Sequence, residues 1–109
     1  MKTKPLKYGL VATTAQNCGG TAYGSGNGIT ASAAENCYGN SGGGYGLYAA
    51  YGSVMNCYGY SGSGVGLDAL TAAFSIGSRP GGTAIQAYVA NGSSAYYGTN
   101  NITYKYNMP

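Results

Sequence analysis

Three cysteines recur at the same place in a repeated motif, and they are the first residues whose chemistry must be weighed. Cys18, Cys37 and Cys57 each follow an asparagine. Thiolates bind zinc and other soft metals, and pairs of thiols form disulfides. An odd number of cysteines excludes a complete disulfide framework, and a straight column of thiols does not surround a metal tetrahedrally. We therefore expect buried free thiols, with no metal and no cofactor.

Other reactive groups are too few for a familiar catalytic site. Glu35 and Asp68 are the only acidic residues, they fall at different positions of the repeat, and the chain has no histidine. This composition argues against a paired acid/base site, a histidine-activated nucleophile and a calcium-dependent polysaccharide lyase. The net charge of +3 is not gathered into a basic stripe, so we expect no nucleic-acid partner. No apolar run approaches the ~20 residues of a membrane span.

Tyrosine is the abundant residue that could bind a ligand, with 13 copies in 109 residues. Tyr38 and Tyr58 occupy equivalent positions beside two of the cysteines, and Tyr45 and Tyr60 lie close to them in the repeat. Amphipathic rings give a large contact area at a low entropic cost, so these four are candidates for stacking against sugar rings or another protein. The alternative is that they cover the coil and pack against one another between rungs.

A repeat of 17–20 residues must position these side chains. Each copy carries Leu or Ile, and Ala two residues later, so that both point to one face of a strand. A fixed period of this size is typical of a solenoid whose repeats bury their apolar sides against their neighbours. The Leu/Ile positions are Leu10, Ile29, Leu47, Leu67 and Ile85, with Ile102 as the candidate in the last copy.

Other repeat positions predict how the coil turns. The asparagines before the cysteines are expected at a left-handed corner, bonded to the copies above and below. Eight residues after Leu67 and Ile85, serine takes the position of cysteine, at Ser75 and Ser93. Two extra residues near 51–53 predict a bulge or a small loop. The glycines two residues beyond the cysteine column are expected at corners with positive φ: Gly20, Gly39, Gly59 and Gly77.

These patterns predict an all-β right-handed parallel β-helix of five to six rungs, with a left-handed β-solenoid as the alternative. We expect an N-terminal cap over residues 1–9, solenoid repeats over 10–101 and a C-terminal capping strand over 102–109. The expected core ladder combines the three cysteines with the five Leu/Ile positions from Leu10 to Ile85.

The pattern Asn-Cys-Tyr-Gly-x-Ser-Gly-x-Gly-x-Gly-Leu-x-Ala, at residues 36–49 and 56–69, resembles repeats in large predicted secreted or surface proteins of environmental bacteria. Those repeats are generally assigned to right-handed parallel β-helices of the pectate-lyase-like architecture. The resemblance extends from about residue 8 to the end and departs at Ser75 and Ser93, where the family pattern has cysteine. It implies the fold and an extracellular or cell-surface location, and it carries over no catalytic residue.

The function expected from these observations is a non-enzymatic structural or adhesive module of a secreted or cell-surface bacterial protein. One alternative is a carbohydrate-binding module that uses the surface tyrosines. Another is a subunit of an extracellular fibre that assembles end to end or laterally. An ice-binding solenoid would need a flat threonine array that the sequence hardly offers, and a disordered Gly/Tyr-rich chain is the unfolded alternative.

Overall fold

The computed structural model describes residues 9–108 as an all-β chain, and no helix lies among them. The strands pair only in parallel and stack as a β-solenoid of about five turns, which confirms the predicted solenoid. The strands of this region are β1 (Leu10–Val11), β2 (Thr14–Gln16), β3 (Gly19–Ala22), β4 (Ile29–Thr30), β5 (Ala33–Glu35), β6 (Tyr38–Ser41), β7 (Leu47–Met55), β8 (Tyr58–Ser61), β9 (Leu67–Ala73), β10 (Ile76–Ser78), β11 (Thr83–Asn91), β12 (Ser94–Ala95) and β13 (Thr99–Tyr106).

The rungs build two sheets that face each other across the core. Sheet 1 follows the order β1-β4-β7-β9-β11-β13, with β2 and β5 beside it, and sheet 2 follows the order β12-β10-β8-β6-β3. The first two rungs cross sheet 1 as two short strands each, whereas β7 and the later strands of sheet 1 cross it in one piece of seven to nine residues. Equivalent repeat positions lie directly over one another, as in the register Leu47 to Leu67 to Ile85.

Small residues fill the narrow space between the sheets. The Leu/Ile column is fully buried from Ile29 to Ile85, and Leu10 packs against it at one end. Alanines of the position two residues later line one side of that column. A further inner column lies beyond these alanines along the strands, and the repeat markers of the sequence do not include it: Ala15, Ala34, Val54, Ala72 and Ala90.

Glycine is required two residues after the cysteine column because a side chain would have no room there, and not because the backbone is left-handed. Gly39 and Gly59 lie inside the strands of sheet 2, and neither has a positive φ, so the predicted corner at these positions is wrong. A Cβ on Gly59 would overlap the carbonyl oxygen of Gly66 and lie 2.9 Å from its carbonyl carbon. The backbones of opposite walls therefore touch at this column, and a side chain has no room there.

The corner between the two sheets is formed by the asparagines, as predicted. Asn17, Asn36 and Asn56 have φ of 54°, 55° and 53°, in the left-handed region that asparagine tolerates. The side-chain Nδ2 of Asn36 donates to the side-chain Oδ1 of Asn17 at 3.1 Å, and Nδ2 of Asn56 donates to Oδ1 of Asn36 at 2.7 Å. Phe74 and Gly92 continue the left-handed corner in later rungs, with φ of 49° and 64°.

The register is irregular in two places. Ala49 pairs with Ala69 and Ser53 with Thr71, so β7 carries two extra residues between them and the predicted bulge is confirmed. In the last rung, Ile85 pairs with Asn100, and Ile102 pairs with Ala87. The placement of Ile102 in the Leu/Ile column is therefore wrong. The register shifts beside Ile85, and Ile102 joins the alanine column instead.

The last strand carries a charge into an inner column. Lys105 pairs with Ala90, a fully buried member of the second alanine column, yet the lysine itself is exposed. A further strand stacked on β13 would have to cover this ammonium group, which costs free energy unless the charge is paired. The N-terminal cap predicted for residues 1–9 lies outside the described residues except for Gly9. Among residues 9–108 no helix is long and apolar enough to cross a membrane.

Candidate functional site

The cysteine column is built as a structural spacer. Cys18, Cys37 and Cys57 are buried free thiols, and each donates to the carbonyl oxygen two residues before it, at 3.1, 3.2 and 3.3 Å. Ser75 makes the same bond to Ala73 at 2.9 Å, so a hydroxyl serves equally well in this column. Burial raises the pKa of the Cys57 thiol to about 11, which disfavours the reactive thiolate. Within the described residues no cluster of three or more Cys, Asp and Glu side chains could hold a metal ion.

Beside this column, Tyr38 and Tyr58 stack on the outer face of sheet 2. Their ring centroids are 5.0 Å apart and their planes differ by 3°. Burial, and secondarily the neighbouring Tyr58 and Tyr60 phenols, raises the pKa of Tyr38. The stack and the asparagine ladder both line a groove of about 710 Å³, and Phe74 and Ile76 of the next rung line it as well.

Part of the ring surface that a sugar could use is taken up within the stack. The two tyrosines face each other, so each covers one face of its neighbour. On the other side of the pair, Tyr58 has Ile76 in register, whereas Tyr38 has Gly19, which carries no side chain. The Asn36 and Asn56 amides opposite are bonded along their own ladder. This groove therefore has few free hydrogen-bonding groups. The two rings pack against each other between rungs, as the alternative interpretation of the tyrosines predicts.

The four tyrosines singled out by the sequence do not form one site. Tyr60 follows Tyr58 on the same face of sheet 2, close enough to influence the Tyr38 phenol. Tyr45 lies elsewhere and packs edge-to-face against Tyr48, with ring centroids 4.6 Å apart. That pair borders a second groove of about 520 Å³ on the outer face of sheet 1.

The charged residues of the repeats are also separated. Glu35 shares its register with Gln16, whose side-chain amide donates to it at 2.8 Å. Arg79 donates to the carbonyl oxygen of Ser63 at 2.8 Å and serves to tie two rungs together. Asp68 lies on the second groove, one position away from the Leu/Ile column. The predicted separation of the two carboxylates is confirmed, since their registers differ.

The second groove is lined by several residues that were not among the candidate binding residues predicted from the sequence. They occupy the position between the Leu/Ile and Ala markers, which points outward while both markers point inward. In successive rungs this outer column reads Thr30, Tyr48, Asp68, Gln86 and Asn101, and all of these except Thr30 line the groove. The signal for the first four was present in the repeat, because each directly follows its Leu or Ile marker. Asn101 could not be found this way, because the last rung shifts register.

Comparison with known proteins adds no relative to this picture: no family model, no curated protein and no solved structure matches the sequence.

Proposed function

We propose that this chain is a non-enzymatic structural and adhesive β-solenoid module that acts outside the cell or at its surface. The observation that carries the proposal is a coil whose rungs are hydrogen-bonded to one another, with nine exposed aromatic side chains on its outside. The whole chain has only seven charged residues to set against them. The exposed rings are Tyr23, Tyr38, Tyr51, Phe74, Tyr88, Tyr96, Tyr97, Tyr104 and Tyr106.

Such a surface suits adhesion because each tyrosine offers an apolar body and a polar tip. An exposed ring can lose apolar area to a contacting surface while its hydroxyl keeps a hydrogen bond. A stiff coil adds to this effect, since rings held in place lose less conformational freedom on contact than rings on a flexible chain. The resemblance to repeats of secreted and surface proteins supports the proposed location.

A fibre built by end-to-end stacking is a weaker candidate than adhesion. It would place a strand against β13 and cover Lys105, which now stands exposed in line with Ala90. Lysine at an edge strand is a common protection against further strand pairing.

Adsorption measurements test the adhesive role. Quartz crystal microbalance recordings on polystyrene and on silica would compare the chain with a variant carrying Tyr→Ser changes at Tyr23, Tyr96, Tyr97 and Tyr106. A matched control changes four exposed hydroxyl residues to alanine: Thr13, Thr14, Ser63 and Thr71. We expect the tyrosine variant to lose most of the adsorbed mass and the control to keep it. Equal adsorption of all three proteins would contradict the proposal, as would release of sugar from a polysaccharide that Asp68→Asn abolishes.

A further inference from the structure

The outer column of sheet 1 places three polar side chains in one row. Asp68 pairs in register with Gln86, and Gln86 with Asn101, so a carboxylate and two primary amides occupy consecutive rungs. Neighbouring strands lie about 4.8 Å apart, which sets the spacing of the row. All three residues line the 520 Å³ groove.

Asp68 is the unusual member of this row. Its residue is only 6% exposed although it belongs to the outer face, and it lines the groove beside Tyr48. Within residues 9–108 its carboxylate has neither a hydrogen bond nor an ion pair, and its burial raises its pKa. Its oxygens are not among the fully covered polar atoms without a partner in the described residues, so they reach the groove, where a carboxylate can accept hydrogen bonds from a ligand.

Aromatic side chains form the walls of the groove. Tyr48 lies one rung from Asp68 and is fixed by its edge-to-face contact with Tyr45. On the far side, Tyr88 packs edge-to-face against Tyr104, with ring centroids 5.2 Å apart. Tyr51 stands at the rim and is 90% exposed. It belongs to the two-residue insertion of β7, and bulges often re-aim a side chain next to a binding site.

We propose that this groove binds a neutral saccharide, with Asp68, Gln86 and Asn101 bonding its hydroxyls and Tyr48, Tyr51 and Tyr88 contacting its ring faces. A carboxylate accepts hydrogen bonds from hydroxyls, and primary amides both donate and accept them, so the row matches a chain of alternating donors and acceptors. The volume falls in the range of small-molecule sites, about 300–1,000 Å³.

Other ligand classes fit this groove less well. A phosphate or carboxylate ligand would meet the Asp68 charge, and no lysine or arginine is among the described residues that line the groove. Calcium takes about six to eight oxygen ligands, and one carboxylate with two amides falls short of that number. An ammonium ligand would be drawn to the carboxylate and the rings, but it would leave the two amides without partners.

This proposal does not depend on adhesion through the tyrosine surface, because the adsorption variants leave the groove unchanged. Its test is a titration of the whole chain with cellotetraose, tetra-N-acetylchitotetraose and xylotetraose. Two-dimensional NMR spectra would follow the backbone amides and the side-chain amides of Gln86 and Asn101. Tetramethylammonium, calcium and inorganic phosphate serve as probes of the competing ligand classes.

We expect one of the oligosaccharides to shift the Gln86 and Asn101 signals. Asp68→Ala and Gln86→Ala should each weaken its binding roughly tenfold or more, because each removes buried hydrogen bonds to the ligand. Gln16→Ala is the matched control, since it removes an outward amide from the same sheet away from the groove. Asp68→Asn, which keeps the size of the side chain, covers the case in which Asp68→Ala does not fold.

Four results would overturn the proposal. They are the absence of binding to all three oligosaccharides, shifts confined to the Tyr38 and Tyr58 face, binding unchanged by Asp68→Ala and Gln86→Ala, and a response to tetramethylammonium, calcium or phosphate without a response to sugars. None of these results bears on adsorption to polystyrene or silica, so the two proposals fail separately.

Discussion

Replacing Gly59 by alanine tests the contact between opposite walls of the coil. The new Cβ would overlap the Gly66 carbonyl oxygen and lie 2.9 Å from its carbonyl carbon and 3.1 Å from the Cβ of Leu67. Carbon atoms pack best at about 3.5–4.0 Å, so the two walls would have to separate by roughly 0.6 Å or more. Overpacking of this kind typically costs about 1–3 kcal/mol, and we expect the upper end because both contacts involve backbone or a core residue.

Urea unfolding followed by circular dichroism measures this loss. A decrease of about 3 kcal/mol corresponds to a fall in Tm of roughly 12–20 °C in a domain of this size. Gly42→Ala is the control, because its Cβ would lie at an ordinary 3.5 Å from the Gly24 nitrogen and should change stability by less than about 0.5 kcal/mol. If Gly59→Ala were as stable as Gly42→Ala, the walls would not touch at this column and the reasoning would be refuted.

Four further predictions concern the columns and the charges. Cys57→Ser should change the free energy of unfolding by less than about 1 kcal/mol, because Ser75 already makes the equivalent bond. Cys57 in the native chain should resist iodoacetamide at about pH 8, as mass spectrometry would show, because burial raises the pKa of its thiol. Asn36→Ala should cost about 1–2 kcal/mol in urea unfolding, since it removes two ladder bonds and a tolerated left-handed residue, whereas a cost near zero would contradict the ladder. Asp68→Asn should stabilise the fold at pH 7 and lose that advantage in acid. Burial raises the Asp68 pKa above its ordinary 3.8, so ionisation of Asp68 favours the unfolded chain as pH rises through the folded-state pKa. Melting curves between about pH 3 and pH 7, a range that includes the ordinary titration of carboxyl groups, check the sign. Lys105→Ala should promote concentration-dependent association in analytical ultracentrifugation, and a purely monomeric variant would show that this lysine does not protect the edge.

The sequence predicted the parts of the fold that repeat. The Leu47, Leu67 and Ile85 column, the asparagine corner and the bulge of β7 all followed from comparing equivalent positions, because stacking places like residues over like. The register of the last rung could not be predicted this way. Its Ile102 matches the Leu/Ile marker in type, but pairing places Asn100 there.

The glycines and the groove show a second limit of the sequence. A repeated glycine is compatible with a left-handed corner and with a tight contact, and only the approach of Gly66 to Gly59 distinguishes them. The tyrosines beside the cysteines stood out because they repeat, yet stacking covers one face of each ring. Asp68, Gln86 and Asn101 differ in type from rung to rung, so no repeated residue type marked them. Asp68 and Gln86 do follow their markers directly, but Asn101 joins the row only through the shifted register of the last rung.

The central claim is that residues about one repeat apart lie over one another in parallel register, and inter-strand nuclear Overhauser contacts test it most directly. The Tyr58 amide donates to the Cys37 carbonyl oxygen at 2.9 Å, and the Ile76 amide donates to the Cys57 carbonyl oxygen at 2.8 Å. Parallel stacking therefore predicts contacts from the Tyr58 and Ile76 amide protons to protons of the strand one rung earlier, together with contacts between the Tyr38 and Tyr58 rings. Contacts that follow an antiparallel hairpin pattern, or contacts between sequential residues alone, would contradict it.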